Sequence, residues 1–252
     1  MNFAQLSFGF FALKIYGIFI AVAFCISAWK YYKKLQQKKM SVDFFLHHFW
    51  RWLVGGLIMG RIFSLLLNPA VWQRNGFFSL FAFWDGEIHF FGTILGFLLI
   101  MWWDLHKKKM NFLEWVDAGI IPFLFGFLIV DIAGFLTGAV YGTATTLPWG
   151  VQYETFGVDI LKPVHPVTLY AFFLHLWLWY WISKREKTWE RFSGKLALQA
   201  GFWFLLTHIF LQFFRGDPTV LIFPFFRIEQ IFYLMALIFL IVWDRFHKRY
   251  LF

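Results

Sequence analysis

Seven stretches of mostly apolar residues run through 13–32, 44–67, 88–104, 115–137, 168–183, 196–214 and 228–246. The stretch LKIYGIFIAVAFCISAW, residues 13–29, is by itself long enough for a helix crossing the hydrocarbon of a bilayer. Each stretch predicts a transmembrane helix, because only a helix satisfies every backbone polar group within one segment. No internal repeat or low-complexity linker interrupts the series. The expected fold class is therefore all-α: a polytopic integral membrane protein with seven transmembrane helices, residues 1–252 forming a single transmembrane domain.

Composition supports this class and charge gives it a direction. Of 252 residues, 60% are hydrophobic and 15% charged, against about half and about a quarter in soluble domains. Lysine and arginine crowd alternate joints: Lys30, Lys33, Lys34, Lys38 and Lys39; Lys107, Lys108 and Lys109; Lys184, Arg185, Lys187, Arg191 and Lys195; Arg245, Lys248 and Arg249. The other joints hold only Arg74, Lys162, Arg215 and Arg227. Basic joints stay cytoplasmic, so the N-terminus is expected outside and the C-terminus inside. The net charge of +9 is then a topology signal and an attraction to anionic lipid, and nucleic acid is not an expected partner. The first apolar run has no basic segment before it and no small-residue cleavage site after it, so no cleavable signal is expected. Cys25, the single cysteine, excludes an intramolecular disulfide and is expected to pack as a small hydrophobe. No metal-ligand spacing, phosphate-binding glycine loop or nucleotide motif is present, so neither metal nor cofactor is expected.

With that orientation, the polar residues outside the basic joints collect at one face. Tyr16, Arg61, Asp85, Glu87, His89, Asp131, His165, Arg215, Asp217, Glu229 and Gln230 all fall at or near the outer ends of their spans. Such a collection is the default reading of a site at the outer leaflet. Arg61 and Asp131 each lie about six residues below the outer end, roughly 9 Å deep at about 1.5 Å per residue. An isolated charge there costs about 3 kcal/mol on insertion scales. Two readings stand: a buried ion pair fixing helix register, or a cation kept for a lipid phosphate. His165 precedes Pro166, which suits a first helical position; it is either a loop histidine or a functional one near the positive end of the helix. Arg215 can anchor at the interface or grip phosphate through its planar fork, and the Gly-Asp-Pro after it signals a turn. Gly9, Gly17, Gly55, Gly56 and Gly60 suit close helix packing.

The ordered set YG (16–17), GGLIMGRI (55–62), WDGEIHFFG (84–92), DAGIIPFLFG (117–126), VHPVTLY (164–170) and QFFRGDP (212–218) resembles the bacterial prolipoprotein diacylglyceryl transferases. The resemblance covers nearly the whole chain. It implies transfer of a diacylglyceryl group from phosphatidylglycerol, or another anionic phospholipid, to the lipobox cysteine of a preprolipoprotein, with glycerol phosphate leaving, in the bacterial inner membrane. Such chemistry needs a thiolate and a neutralised leaving phosphate. Tyr16, Arg61, Asp85, Gly86, Asp117, Pro122, His165, Pro166, Tyr170 and Arg215 match the family's positions. The candidate catalytic residues are His89, His165 and Tyr16. Arg61, Arg215, Asp131 and Glu229 are candidates for phospholipid binding, and Asp85, Gly86, Asp117 and Pro166 for structural support.

Two departures qualify the match. Where the family has a histidine before the glycine of the third span, this chain has Phe91, with His89 two residues upstream. That shift keeps the facing side only in extended backbone; in a helix it turns about 200°. In VDIAGFLTGAVYG, residues 130–142, Asp131 stands at the family's arginine, Gly134 and Thr137 at its asparagines and Ala139 at its glutamate. An aspartate repels phosphate. The alternative expectation is a non-catalytic descendant that binds phospholipid or a membrane partner. A transporter is disfavoured because the polar residues do not continue through the bilayer.

Overall fold

The computed structural model describes residues 5–8, 11–67, 76–81, 88–153, 162–188, 194–217, 219–223 and 226–247. Among them are seven α-helices, one over each apolar stretch: α1 (Ile15–Gln37), α2 (Val42–Leu67), α3 (Phe90–Lys107), α4 (Phe112–Thr137), α5 (Val167–Thr188), α6 (Lys195–Leu211) and α7 (Ile228–His247). Two short antiparallel hairpins accompany them, β1–β2 (Gln5–Phe8 with Phe11–Lys14) and β3–β4 (Leu221–Phe223 with Phe226–Arg227). The architecture is all-α. Among the described residues, four helices are long and apolar enough to cross a membrane: α1, α2, α4, and α6 with its 3₁₀ continuation to Phe214. Trp, Tyr and His dilute the apolar character of α5 (VTLYAFFLHLWLWYWISKREKT), although aromatics of this kind suit the membrane interface.

The chain divides into two compact units, residues 1–34 with 116–252, and residues 35–115. In the smaller unit α2 and α3 pack closely because both present small residues. A Cβ on Gly92 would stand 2.7 Å from Phe63 Cβ, and one on Gly96 would stand 2.6 Å from the Gly55 carbonyl oxygen. Trp52, fully buried, donates its indole N–H to Asp104 Oδ2 at 3.0 Å, and Arg51 balances the same carboxylate at 3.0 Å.

In the larger unit α6 lies between α5 and α7. Val167, Ala171 and Leu211 form a buried cluster covered by Tyr170, Leu174 and Phe214. Asp117 joins α4 to the start of α6. Its oxygens accept the backbone N–H groups of Gly194 (2.7 Å) and Ala197 (2.8 Å), which satisfies donors that a helix start leaves open. Large apolar side chains such as Phe173, Phe210 and Phe239 point outward, as a lipid-facing surface requires.

Cys25 departs from expectation: it is exposed on α1. Ala23 is the buried position of that turn, and two residues along a helix turn the side chain about 200° away. The thiol therefore faces out of the unit and does not pack.

Candidate active site

α4 ends at Thr137, whose hydroxyl donates back to the Ala133 carbonyl at 2.7 Å. Gly138 follows at φ +65°, the left-handed conformation that closes helices. The chain then enters a small irregular sheet. Thr143 N–H donates to Phe214 O (2.8 Å), Gly216 N–H to Tyr141 O (2.9 Å), His165 N–H to Thr143 O (3.0 Å) and Thr145 N–H to Pro163 O (2.8 Å). Gly142 sits at its centre: a Cβ there would lie 2.5 Å from His165 Cβ and 2.9 Å from Phe214 O. A glycine thus lets His165 and Arg215, distant in sequence, flank one residue. The structure brings these two predicted site residues together in the larger unit.

His165 is half-buried, its ring held between the edges of Tyr170 (centroids 6.1 Å apart) and Phe214 (5.4 Å). Its Nδ1 lies 3.2 Å from the Tyr170 hydroxyl, which accepts the Trp149 indole N–H at 2.8 Å. Pro166 is buried and precedes the first residue of α5, where its missing N–H costs nothing.

Arg215 donates from Nε and Nη2 to the two oxygens of Asp217, at 2.8 and 2.6 Å. The turn Gly216–Asp217 therefore folds the carboxylate back onto the fork. Arg227 reaches the same carboxylate at 3.2 Å and the carbonyls of Asp217 and Arg215 at 3.0 and 3.3 Å. Glu229, in the first turn of α7, accepts from Thr219 at 2.6 Å and stands 3.7 Å from Arg227 Nε. Two cations and two carboxylates balance. Burial works against the Arg215 cation. The hydrogen bonds and charge of Asp217, helped by Tyr233 and Glu229, outweigh it and hold the group above the ordinary arginine range. Burial dominates for Arg227 and, with repulsion from Arg215, lowers it; guanidinium remains charged in both.

Asp131 takes His175 of α5 as its partner, Oδ2 lying 2.6 Å from Nδ1. Phe127 approaches the His175 ring edge-on at 5.4 Å, while Phe204 (5.3 Å) and His208 (5.1 Å) stack on it. Tyr16 opens α1 and lies in the field of Asp131 and Arg215. Gly134, beside it, leaves room for the Thr168 methyl, 2.8 Å from where a Cβ would be.

In the smaller unit Arg61 is fully buried and donates from Nε to the Ser79 carbonyl at 2.7 Å. His89 has extended backbone, φ −80° and ψ 120°, immediately before α3. Its N–H donates to Gly60 O, and its carbonyl accepts from the Thr93 N–H and hydroxyl, all at 3.0 to 3.1 Å. His89 itself is extended, but Phe90 and Phe91 already belong to α3, so the extended run that would carry a two-residue shift to the same facing side is not present. Asp85, Gly86 and Glu87 lie outside the described residues.

Sequence reasoning missed His175, Arg227 and Trp149 as site residues, and the pairing of Asp217 with Arg215 and Arg227. His175 carried a signal: an ionisable residue inside the aromatic run AFFLHLWLWYW is expensive in a membrane and needs a partner.

The fold and these groups define a helical membrane protein whose larger unit gathers His165, Arg215 and Arg227 beyond its helix ends. Comparison with known proteins sharpens this. Residues 4–243 match the model of the family described as prolipoprotein diacylglyceryl transferase, and the chain belongs to that family. A phosphatidylglycerol–prolipoprotein diacylglyceryl transferase of Campylobacter lari is 28% identical over 229 residues, covering 85% of this chain and 82% of the relative. Similarly named proteins of Pseudoalteromonas atlantica and Actinobacillus pleuropneumoniae are 29% and 27% identical, over 83% and 81% of this chain and 74% and 78% of theirs.

Proposed function

We propose that the chain transfers the diacylglyceryl group of phosphatidylglycerol to the lipobox cysteine of preprolipoproteins. The observation that carries this reading is the family match across residues 4–243. The sulfur forms a bond to the diacylglyceryl carbon, the bond from that carbon to the phosphate oxygen breaks, the thiol proton passes to a base and glycerol phosphate leaves. Non-catalytic descent is not favoured, since the matched relatives are named as transferases.

In this reading the chain is one transmembrane domain of the bacterial inner membrane, crossing seven times with its N-terminus outside. Arg215 serves the phosphate in the larger unit; in the smaller unit Arg61 is a further candidate for phospholipid binding and His89 the candidate base for the thiol. Tyr16 and His165 contact substrate. Asp131 acts through His175, and Glu229 through Arg227. Asp85 and Gly86 shape the entry to α3, while Asp117 and Pro166 support helix starts.

Purified protein, given phosphatidylglycerol and a lipobox peptide, should release glycerol phosphate. No release under conditions where another family member turns over removes the reading. His89→Ala and Arg215→Ala should each lower the rate at least about tenfold, the worth of a lost charge-assisted contact. Wild-type rates in both would show that other residues do this work.

A further inference from the structure

The hydrogen bonds around His165 fix what that residue can do. The Trp149 indole is a donor only, so the Tyr170 oxygen that it meets at 2.8 Å must accept. That oxygen carries one proton of its own. The acceptor it meets among the described residues is His165 Nδ1, at 3.2 Å. A hydroxyl pointing at Nδ1 needs the lone pair there, and the neutral imidazole then carries its proton on Nε2. The opposite tautomer would aim two N–H groups at the Tyr170 oxygen and leave its hydroxyl proton without a described acceptor.

The surroundings hold this arrangement in place. The His165 backbone donates to Thr143 O at 3.0 Å and accepts from Val167 N–H at 2.9 Å. Phe214 and Tyr170 flank the ring. Across Gly142 stands Arg215. Its Nε and Nη2 are committed to Asp217, while its Nη1 has no partner among the described residues. Two donors of different kinds, one cationic and one neutral, therefore stand on neighbouring segments.

We propose that His165 acts as a neutral Nε2–H donor to a phosphate oxygen of the lipid headgroup, beside Arg215, and that Trp149 and Tyr170 are positioning residues that fix its tautomer. His165 is then not the base that takes the cysteine proton. The inference rests on the reading that the substrate is an anionic phospholipid.

Two substitutions separate donor from base. Glutamine places an amide N–H near where Nε2 stands, and asparagine places one near Nδ1. The measurement is glycerol phosphate release from phosphatidylglycerol in detergent micelles, with a lipobox peptide, kcat and KM being resolved. His165→Gln should keep kcat/KM within about threefold. His165→Asn should lose about tenfold or more, mostly through KM for the lipid, the equivalent of one hydrogen bond to a charged group. Tyr170→Phe should raise that KM more than it lowers kcat. A tenfold or greater loss in His165→Gln overturns the proposal, as does an Asn variant that outperforms the Gln variant. Should the Asn variant not fold, the Gln result alone decides in the same sense. Failure of the wild type to turn over would instead remove the underlying reading.

Discussion

The buried pair Asp131–His175 allows a quantitative test. The two side chains are 9% and 1% exposed and their polar atoms are 2.6 Å apart. Phenylalanines and His208 surround the imidazole, so no water replaces a lost partner. Removing one member of a buried pair typically costs about 3–5 kcal/mol, because the survivor stays desolvated. Hydrogen-bonded pairs within membranes measure lower, roughly 0.6 and up to about 1.7 kcal/mol, since the unfolded helices find other partners. A short carboxylate–imidazole contact belongs between these ranges. We expect about 3 kcal/mol for Asp131→Ala and about the same for His175→Ala, with a coupling near 2 kcal/mol. Asp131→Asn keeps an acceptor for Nδ1–H and should cost only about 1 kcal/mol. Equilibrium unfolding in mixed micelles measures these three variants and the double variant Asp131→Ala/His175→Ala. Additivity within about 0.5 kcal/mol would refute the reasoning. Asp131→Arg restores the residue type that the family resemblance implies at this position, yet it sets a cation against His175. It should be less stable than Asp131→Ala, and greater stability would show that the arginine finds a partner of its own.

Three further outcomes are expected. Asp117→Ala removes both acceptors at the start of α6 and should cost about 2 kcal/mol, with faster amide exchange at Gly194 and Ala197 as the local readout. Gly216→Ala sets a methyl against the Gly142 carbonyl; it should displace Arg215 and lower kcat/KM about tenfold while the protein still purifies as a folded species. Gly134→Asn should destabilise because of the Thr168 methyl 2.8 Å from its Cβ, by about 1–3 kcal/mol as overpacking does, and Thr168→Ala in the same chain should recover most of that in a melting experiment.

The helices were legible because apolar length is a one-dimensional property, and each of the seven stretches carries one. Partners were not, because depth along a helix fixes height and leaves azimuth open. Arg61 and Asp131 share a depth, yet Asp131 turns toward α5 and meets His175. Azimuth also decided Cys25, which lies on the face opposite Ala23. The Gly-Asp-Pro turn was visible at 216–218, but that it returns Asp217 onto Arg215 depends on backbone angles that a motif does not specify. His89 lay at an element boundary, where sequence reasoning is least sharp, and its extended backbone emerges only with the hydrogen bond to Gly60.

The departures within 131–139 gain a physical account from the same contacts. Asp131 is matched by the imidazole of His175. Gly134 is matched by the bulk of Thr168, and Thr137 satisfies its hydroxyl on the Ala133 carbonyl of its own helix. Three of the four substituted positions are therefore answered within the larger unit, two of them by α5, and nothing in the structure explains Ala139. Such compensation moves the cationic work elsewhere. Arg215 is already held by Asp217, Arg227 and Glu229, so its orientation does not depend on a second arginine at 131. On these grounds restoring residue 131 alone should not raise activity; a gain would require Asp131 and His175 to change together.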